Sequence, residues 1–271
     1  GLGATSRLGR VEDRSDGRMR DPRSILITGA SSGLGEALAK LYAAPGRHLA
    51  LTGRNIERLA EVSAACRAAG ATVTEGIVDV TDSAATARFV HEADAVAPID
   101  LVIANAGISG GTYGGSESPD QIRAIMAVNV DGVLNTVLPA IPLLLARKRG
   151  QIGIMSSLAS FRGFPGAPAY CASKAAVRVW GEALRGQLKP HGISVSVICP
   201  GFVVSRMTAQ NRFHMPLLMP AERAAVIIRK GLEADRARIS FPLRMYAGAW
   251  LMSIPPPALT DPLVMSLPKK D

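Results

Sequence analysis

The chain has 271 residues, enough for one large domain, and its 48% apolar and 20% charged content is that of a packed globular protein. Its net charge of +9 sits mostly at the ends, with six Arg against four acids in residues 1–23 and ten basic against five acidic residues in 206–271. Aromatics make up only 4%, so the chain lacks a basic stripe interleaved with rings, and nucleic acid is set aside as a partner.

Residues 1–23 have no apolar period and read as a disordered leader or a leftover of cloning, with Met19 a candidate natural start. From Ser24 an alternation begins. SILIT is a strand, followed by a Gly-rich turn and the helical pattern EALAKLYAA. HLALT is a second strand, and a helix closed by Gly70 follows it. TVTEGIVDV predicts a third strand, and Asp82 caps a helix through Ala95. IDLVIA predicts a fourth strand, and one long helix from about Pro119 to Arg149 is expected to bend at Pro139 and Pro142. GQIGIM is the fifth strand, a helix then carries Tyr170 and Lys174 to about Leu188, and ISVSVIC is the sixth strand. A helix over residues 221–234 and RISFP add a seventh. Strands separated by helices of this length predict βαβ units and a doubly wound, Rossmann-type parallel sheet with helices on both faces.

Two stretches carry chemistry. The turn Thr28-Gly29-Ala30-Ser31-Ser32-Gly33-Leu34-Gly35 follows an apolar strand and opens a helix, where glycines let the backbone approach a pyrophosphate. In the second, Ser157 ends a buried strand while Tyr170 and Lys174, four apart, share one helix face. A phenol beside an ammonium and a hydroxyl is an apparatus for moving a proton on or off a carbonyl oxygen.

These motifs, with Asn105-Ala106-Gly107 after the fourth strand, Asn129, the YCASK run and Pro200-Gly201 after the sixth strand, stand in the order and spacing of the short-chain dehydrogenase/reductase family, which the chain resembles over about residues 24–207. The resemblance implies that Tyr170 is the general acid/base. Lys174 and the positive nicotinamide are expected to pull its pKa down, and Lys174 also to hold the nicotinamide ribose. Ser157 would orient the substrate oxygen, and Asn129 would hold a water linking Lys174 to solvent. For the cofactor it implies Gly29, Ser31, Ser32, Gly33, Leu34 and Gly35 at the phosphates and Asp79 with Val80 at the adenine. Asn105, Ala106 and Gly107 would line the cleft, and Tyr170, Lys174, Pro200, Gly201, Val203 and Ser205 the nicotinamide side.

The second strand ends in Thr52-Gly53-Arg54-Asn55, with no carboxylate for ribose hydroxyls and with Arg54 placed to meet a 2′-phosphate. NADP(H) is therefore favoured and NAD(H) left open. The expected activity is hydride transfer between nicotinamide and a secondary alcohol or ketone, with a non-catalytic NAD(P)-binding sensor or scaffold as the alternative. An apolar, Met-rich segment at about 202–220 reads as a substrate lid and suggests a lipophilic substrate. Cys66, Cys171 and Cys199, with four scattered histidines, show no metal-ligand spacing and point to free thiols in a reducing, cytoplasmic setting. Cys171, one residue past Tyr170, is expected to face packing rather than substrate. The domain thus runs over 24–242, and residues 243–271 form an apolar, basic extension. That extension covers a subunit interface or the pocket, or lies on an anionic membrane surface near Lys269 and Lys270. A homodimer or homotetramer follows family habit.

Overall fold

The structure is a computed structural model that describes residues 21–110, 116–209 and 215–266. Residues 1–20 of the leader, residues 210–214 of the lid segment, and Lys269 and Lys270 lie outside the described residues. Seven parallel strands form one sheet: β1 Ser24–Ile27, β2 His48–Gly53, β3 Thr72–Ile77, β4 Leu101–Ala104, β5 Gly150–Met155, β6 Ile193–Pro200 and β7 Arg238–Phe241. Their order is β3-β2-β1-β4-β5-β6-β7. Every residue of β1, β2, β4, β5 and β6 is buried. That is why these strands read as continuous apolar runs, since helices cover both faces.

One face carries α1 (Gly33–Tyr42), α2 (Ile56–Ala68) and α9 (Ala221–Glu233), whose Leu38, Tyr42, Leu59 and Ile228 join Ile25 and Leu51 in one core cluster. The other carries α3 (Ser83–Val96), α4 (Pro119–Met126), α5 (Gly132–Val137), α6 (Ala140–Arg147) and α7 (Pro168–Leu188). There Val133, Leu144, Val177 and Leu184 pack on Ile152 and Val195. The caps are chemical. Asn55, Asp82 and Ser118 accept from the backbone amides of Arg58, Ala85 and Gln121 at the starts of α2, α3 and α4.

Three expectations change in detail. The third strand stops at Ile77 rather than Val80, because Asp79 turns the chain by accepting from the Thr81 amide at 2.9 Å and its hydroxyl at 2.8 Å. The long helix breaks twice and ends at Arg147. It restarts as α6 after Pro139, and between α4 and α5 it opens into a π-turn, Ala127–Asp131. That turn holds Asn129 wholly buried against Ile108 and Ser173. A π-turn has no single-residue signature, and such turns occur often at functional sites.

The apolar extension folds into two helices, α10 (Leu243–Ser253) and α11 (Pro257–Met265), the second begun by Pro257 at its first position. They fold back over the carboxyl ends of β5 and β6. Met245, Tyr246 and Ala249 pack on Leu158, Phe161 and Cys199. Arg162 ties α11 down through Asp261 at 2.5 Å and Thr260 at 3.2 Å.

Candidate active site

The strand order reverses between β1 and β4, and a crevice opens there at the carboxyl ends of the strands, where open α/β sheets take their ligands. Thr28 holds the two strand ends together. Its hydroxyl accepts from the amides of Asn105 at 3.1 Å and Ala106 at 3.2 Å, and the Asn105 side chain donates back to the Thr28 carbonyl at 2.9 Å. The crevice belongs to a cavity of about 1020 Å³ that runs from Arg54 and Asp79 at one end to Met245 and Val264 at the other.

The glycine turn forms the floor. Gly33 has φ +57°, a conformation that side chains strain against, and a Cβ on Gly35 would stand 2.2 Å from the Gly29 carbonyl oxygen. Helix α1 therefore starts directly on the turn. Its N-cap Ser32 makes no side-chain cap bond, which leaves the first-turn amides of α1 uncapped beside the cavity. Uncapped amides at a helix start are an anion site, and the turn fits a pyrophosphate. Gly29, Ser31, Ser32, Gly33 and Leu34 border the cavity, whereas Gly35 stands behind its wall.

At the far end of β2, Arg54 and Asp79 face each other at 3.8 Å across the cavity rim. The Thr81 amide, ahead of Arg54, holds the Asp79 carboxyl below the usual carboxylate range. Val80 lies beside them, buried, with its carbonyl held by Asn135 at 2.8 Å. Asn105, Ala106 and Gly107 continue the wall toward β5.

Ser157 leaves the end of β5 and Tyr170 and Lys174 leave the first turns of α7, so all three side chains reach the same cavity. Lys174 is 3% exposed and donates from Nζ to the Met155 carbonyl at 3.0 Å. Burial pulls its pKa down to about 8. Its Nζ is 5.9 Å from the centroid of the Tyr170 ring. The expected fall in the Tyr170 pKa is assigned to Lys174 and a bound nicotinamide; the protein's own groups move it the other way. Burial pushes the phenol up, and hydrogen bonding to Ser157 works against that without overcoming it. The ammonium that was to lower it is turned to the Met155 carbonyl instead.

Asn129 is not on the cavity wall. Its side-chain oxygen accepts from the Ile108 amide at 2.8 Å, and its side-chain nitrogen donates to the Ile108 carbonyl at 2.9 Å and to Ser173 at 3.0 Å. A Cβ on Gly107 would come 3.2 Å from that oxygen and 3.3 Å from Lys174 Nζ, so the two polar groups flank the space that this glycine leaves open. Asn129 thus positions its neighbours directly.

Pro200 and Gly201 follow β6 onto the wall, and the Gly201 amide donates to the Phe241 carbonyl at 2.7 Å. Val203 pairs with Met219 as an isolated bridge. Ser205 caps the short helix α8 (Arg206–Ala209), accepting from Thr208 at 3.2 Å. It also reaches across the cleft, since a Cβ on Gly33 would lie 3.0 Å from the Ser205 Cβ. Cys171 is buried with its thiol pushed up by burial, yet it borders the cavity. The cavity wraps around the start of α7, so one step of about 100° does not carry a residue away from it.

Sequence reasoning passed over two residues. Glu117 is buried, and its carboxylate accepts from the Ala169 amide at 2.8 Å, which caps the helix that carries Tyr170. Arg58, on the first turn of α2, borders the cavity beside Arg54. An Arg four residues after another at a helix start was a signal that could have been used.

A family model described as short chain dehydrogenase matches residues 23–215. An uncharacterized oxidoreductase of Myxococcus xanthus is 40% identical over 241 residues, covering 88% of this chain and 95% of the relative. A short-chain dehydrogenase from Sphingobium yanoikuyae, solved in complex with NADPH, superposes with a TM-score of 0.75 at 25% identity, over 92% of this chain and 97% of that one. A short chain dehydrogenase/reductase from Burkholderia phymatum in complex with NAD shares the fold, with a TM-score of 0.79 at 24% identity over 93% and 98% of the two chains.

Proposed function

The chain belongs to the short chain dehydrogenase family of oxidoreductases, and from that premise we propose that it uses NADP(H) to interconvert a lipophilic ketone and its secondary alcohol. The observation that carries this reading is a single cavity with Ser157, Tyr170 and Lys174 at one end and the glycine turn with Arg54 at the other.

When bound, the nicotinamide supplies the hydride in reduction and takes it back in oxidation. The Ser157 hydroxyl orients the substrate oxygen and donates to it as negative charge develops. Tyr170 delivers the proton to that oxygen. A phenol whose pKa burial has raised is fully protonated at neutral pH, which suits the acid role in reduction. Lys174, with a pKa of about 8, keeps most of its charge at pH 7 and is placed to hold the nicotinamide ribose. Asn129 and Glu117 keep Ser173, Ile108 and the start of α7 in register.

The cofactor preference is supported by the residues at the end of β2. Arg54 borders the cavity, and Gly53 offers no carboxylate to ribose hydroxyls. A lipophilic substrate is supported by Leu158, Phe164, Met207, Met245, Met252 and Val264, which line the end near Tyr170. The buried free thiols Cys66, Cys171 and Cys199 are consistent with a reducing, cytoplasmic setting. Exposed Leu138 and Val179 are consistent with a homodimer or homotetramer.

The test is a fluorescence titration with NADPH and NADH, followed by NADPH consumption on a carbonyl panel of short ketones, 3-oxoacyl thioesters, steroids and long-chain carbonyls. The expected result is tighter NADPH binding and turnover rising with apolar size. NADH binding tighter than NADPH, or turnover confined to the short ketones, would overturn the corresponding half of the reading.

A further inference from the structure

We propose that Arg58 is a second cation of the cofactor site and that Arg54 and Arg58 together grip the 2′-phosphate of NADP(H). The inference rests on reading the cleft as an NADP(H) site and assigns a residue that the family motifs did not point to. Arg58 is fixed by the helix start, with its amide donating to the Asn55 side chain at 2.9 Å. Its side chain reaches the cavity wall that Gly53, Arg54 and Asn55 also form. The Arg58 Nε is buried without a hydrogen-bond partner among the described residues. A buried donor left unpaired is unfavourable, and more so on a charged group, so the site is incomplete until an acceptor arrives.

The neighbouring groups say what that acceptor is. Among the described residues Arg54 is paired with Asp79 at 3.8 Å, through the carboxylate oxygen that Thr81 does not engage. Two guanidinium groups thus border one end of the cavity, where Asp79 is the one acidic side chain among the described lining residues. A ribose diol would call for a carboxylate at the end of β2, but position 53 is glycine. A Cβ there would come within 2.9 Å of both the Cβ and the Oγ of Ser31. A carboxylate side chain cannot be placed at 53 without displacing Ser31. A phosphate dianion satisfies both guanidinium groups, which are shaped for phosphate oxygens. The competing role for Arg58 is to lie against the adenine ring. That role treats the two dinucleotides alike, whereas a phosphate contact separates them.

The experiment compares wild type, Arg54→Ala, Arg58→Ala and Arg58→Gln by calorimetric titration with NADPH, NADH and adenosine 2′,5′-bisphosphate. The last probe has no nicotinamide, so binding is read without turnover, and thermal melts check each fold. Loss of one charge-assisted contact predicts that Arg58→Ala weakens NADPH and the bisphosphate about tenfold and leaves NADH within about twofold. Arg58→Gln removes the charge with less change in shape. It is expected to follow Arg58→Ala and stands in for it if that variant melts early. Equal weakening of NADPH and NADH, or no change in either, overturns the proposal. If Arg54→Ala loses the NADPH preference and neither Arg58 variant does, the Arg58 assignment fails while the cofactor reading stands. If wild type itself shows no preference, both fail.

Discussion

At the β2–β3 end of the cleft, the side chains of Arg54 and Asp79 are 65% and 44% exposed. At the β5–α7 end, Lys174 is 3% exposed and Ser157 9%. Water screens the first pair, so the charges there select a ligand while adding little to the stability of the fold. Burial governs the second set, raising the phenol and lowering the ammonium. In the proposed reading, one end of the cleft discriminates cofactors by exposed charge, and the other prepares a proton by withholding water. Perturbed groups of this kind concentrate where chemistry is done.

The largest expected effect breaks the buried end and leaves the exposed end alone. Tyr170→Phe removes the proton donor and keeps the ring. General acid–base catalysis contributes about 10²–10⁴-fold, so turnover on a confirmed ketone should fall by that order. The NADPH dissociation constant should stay within about twofold, because the adenosine end is untouched. Steady-state kinetics and a fluorescence titration read both. Turnover kept near wild type would assign the proton to another group.

Tyr170 and Lys174 were readable because their geometry is local: four residues on one helix give one face whatever the rest of the chain does. The glycine turn was readable for the same reason. Glu117 was not, since its contact with the Ala169 amide spans 52 residues and only the folded chain brings them together. The π-turn at Asn129 was hidden inside a good helical pattern, where the two prolines drew attention to a later break. The extension over residues 243–265 was legible as apolar, with the pocket among the surfaces it could cover, but the contact that holds it there was not. Its fold-back depends on Arg162 meeting Asp261, 99 residues away. The rise that burial alone gives the Tyr170 pKa was not legible, because desolvation is set by the enclosing cavity.

A smaller effect sharpens the contrast through stability. A buried ammonium whose one hydrogen-bond partner among the described residues is a carbonyl opposes folding, so Lys174→Met should lose turnover and gain about 4 °C in melting temperature. Arg54→Ala, at the exposed end, should move it by less than about 1 °C. The pH dependence has a definite sign. The folded-state pKa of about 8 lies below the ordinary 10.5. Between those values the unfolded chain holds a proton that the folded chain has released, so this group makes wild type more stable as pH rises. Tyr42 and Tyr170 have raised pKa values and reverse the trend only above about pH 10. Burial also raises the thiols of Cys66, Cys171 and Cys199, which lowers the stability of both proteins as pH climbs toward 9. Chemical denaturation between pH 7.5 and 9.5 should therefore show wild type gaining stability relative to Lys174→Met. Parallel curves for the two proteins would show that Lys174 is solvated in solution.

The smallest effect concerns the roof over the buried end. Arg162 is 17% exposed in its side chain and Asp261 48%, so their ion pair belongs to the weak, partly screened class, worth about 0.5–1 kcal/mol. Yet it joins α11 to the segment that follows Ser157, and the inner faces of α10 and α11 supply Met245, Met252 and Val264 to the cavity. Arg162→Ala should therefore loosen the substrate wall without touching the proton donor or the phosphate end. The expected signature is a KM for a large apolar ketone raised about threefold, with kcat and the NADPH dissociation constant each within about twofold. Asp261→Asn should reproduce it, because either change removes the same contact. A small ketone, which does not reach the roof, should show no KM change. If KM rises equally for both ketones, or NADPH binding weakens instead, the hairpin supports the whole cleft, and the division between its two ends is less sharp than the exposures of Arg54 and Lys174 suggest.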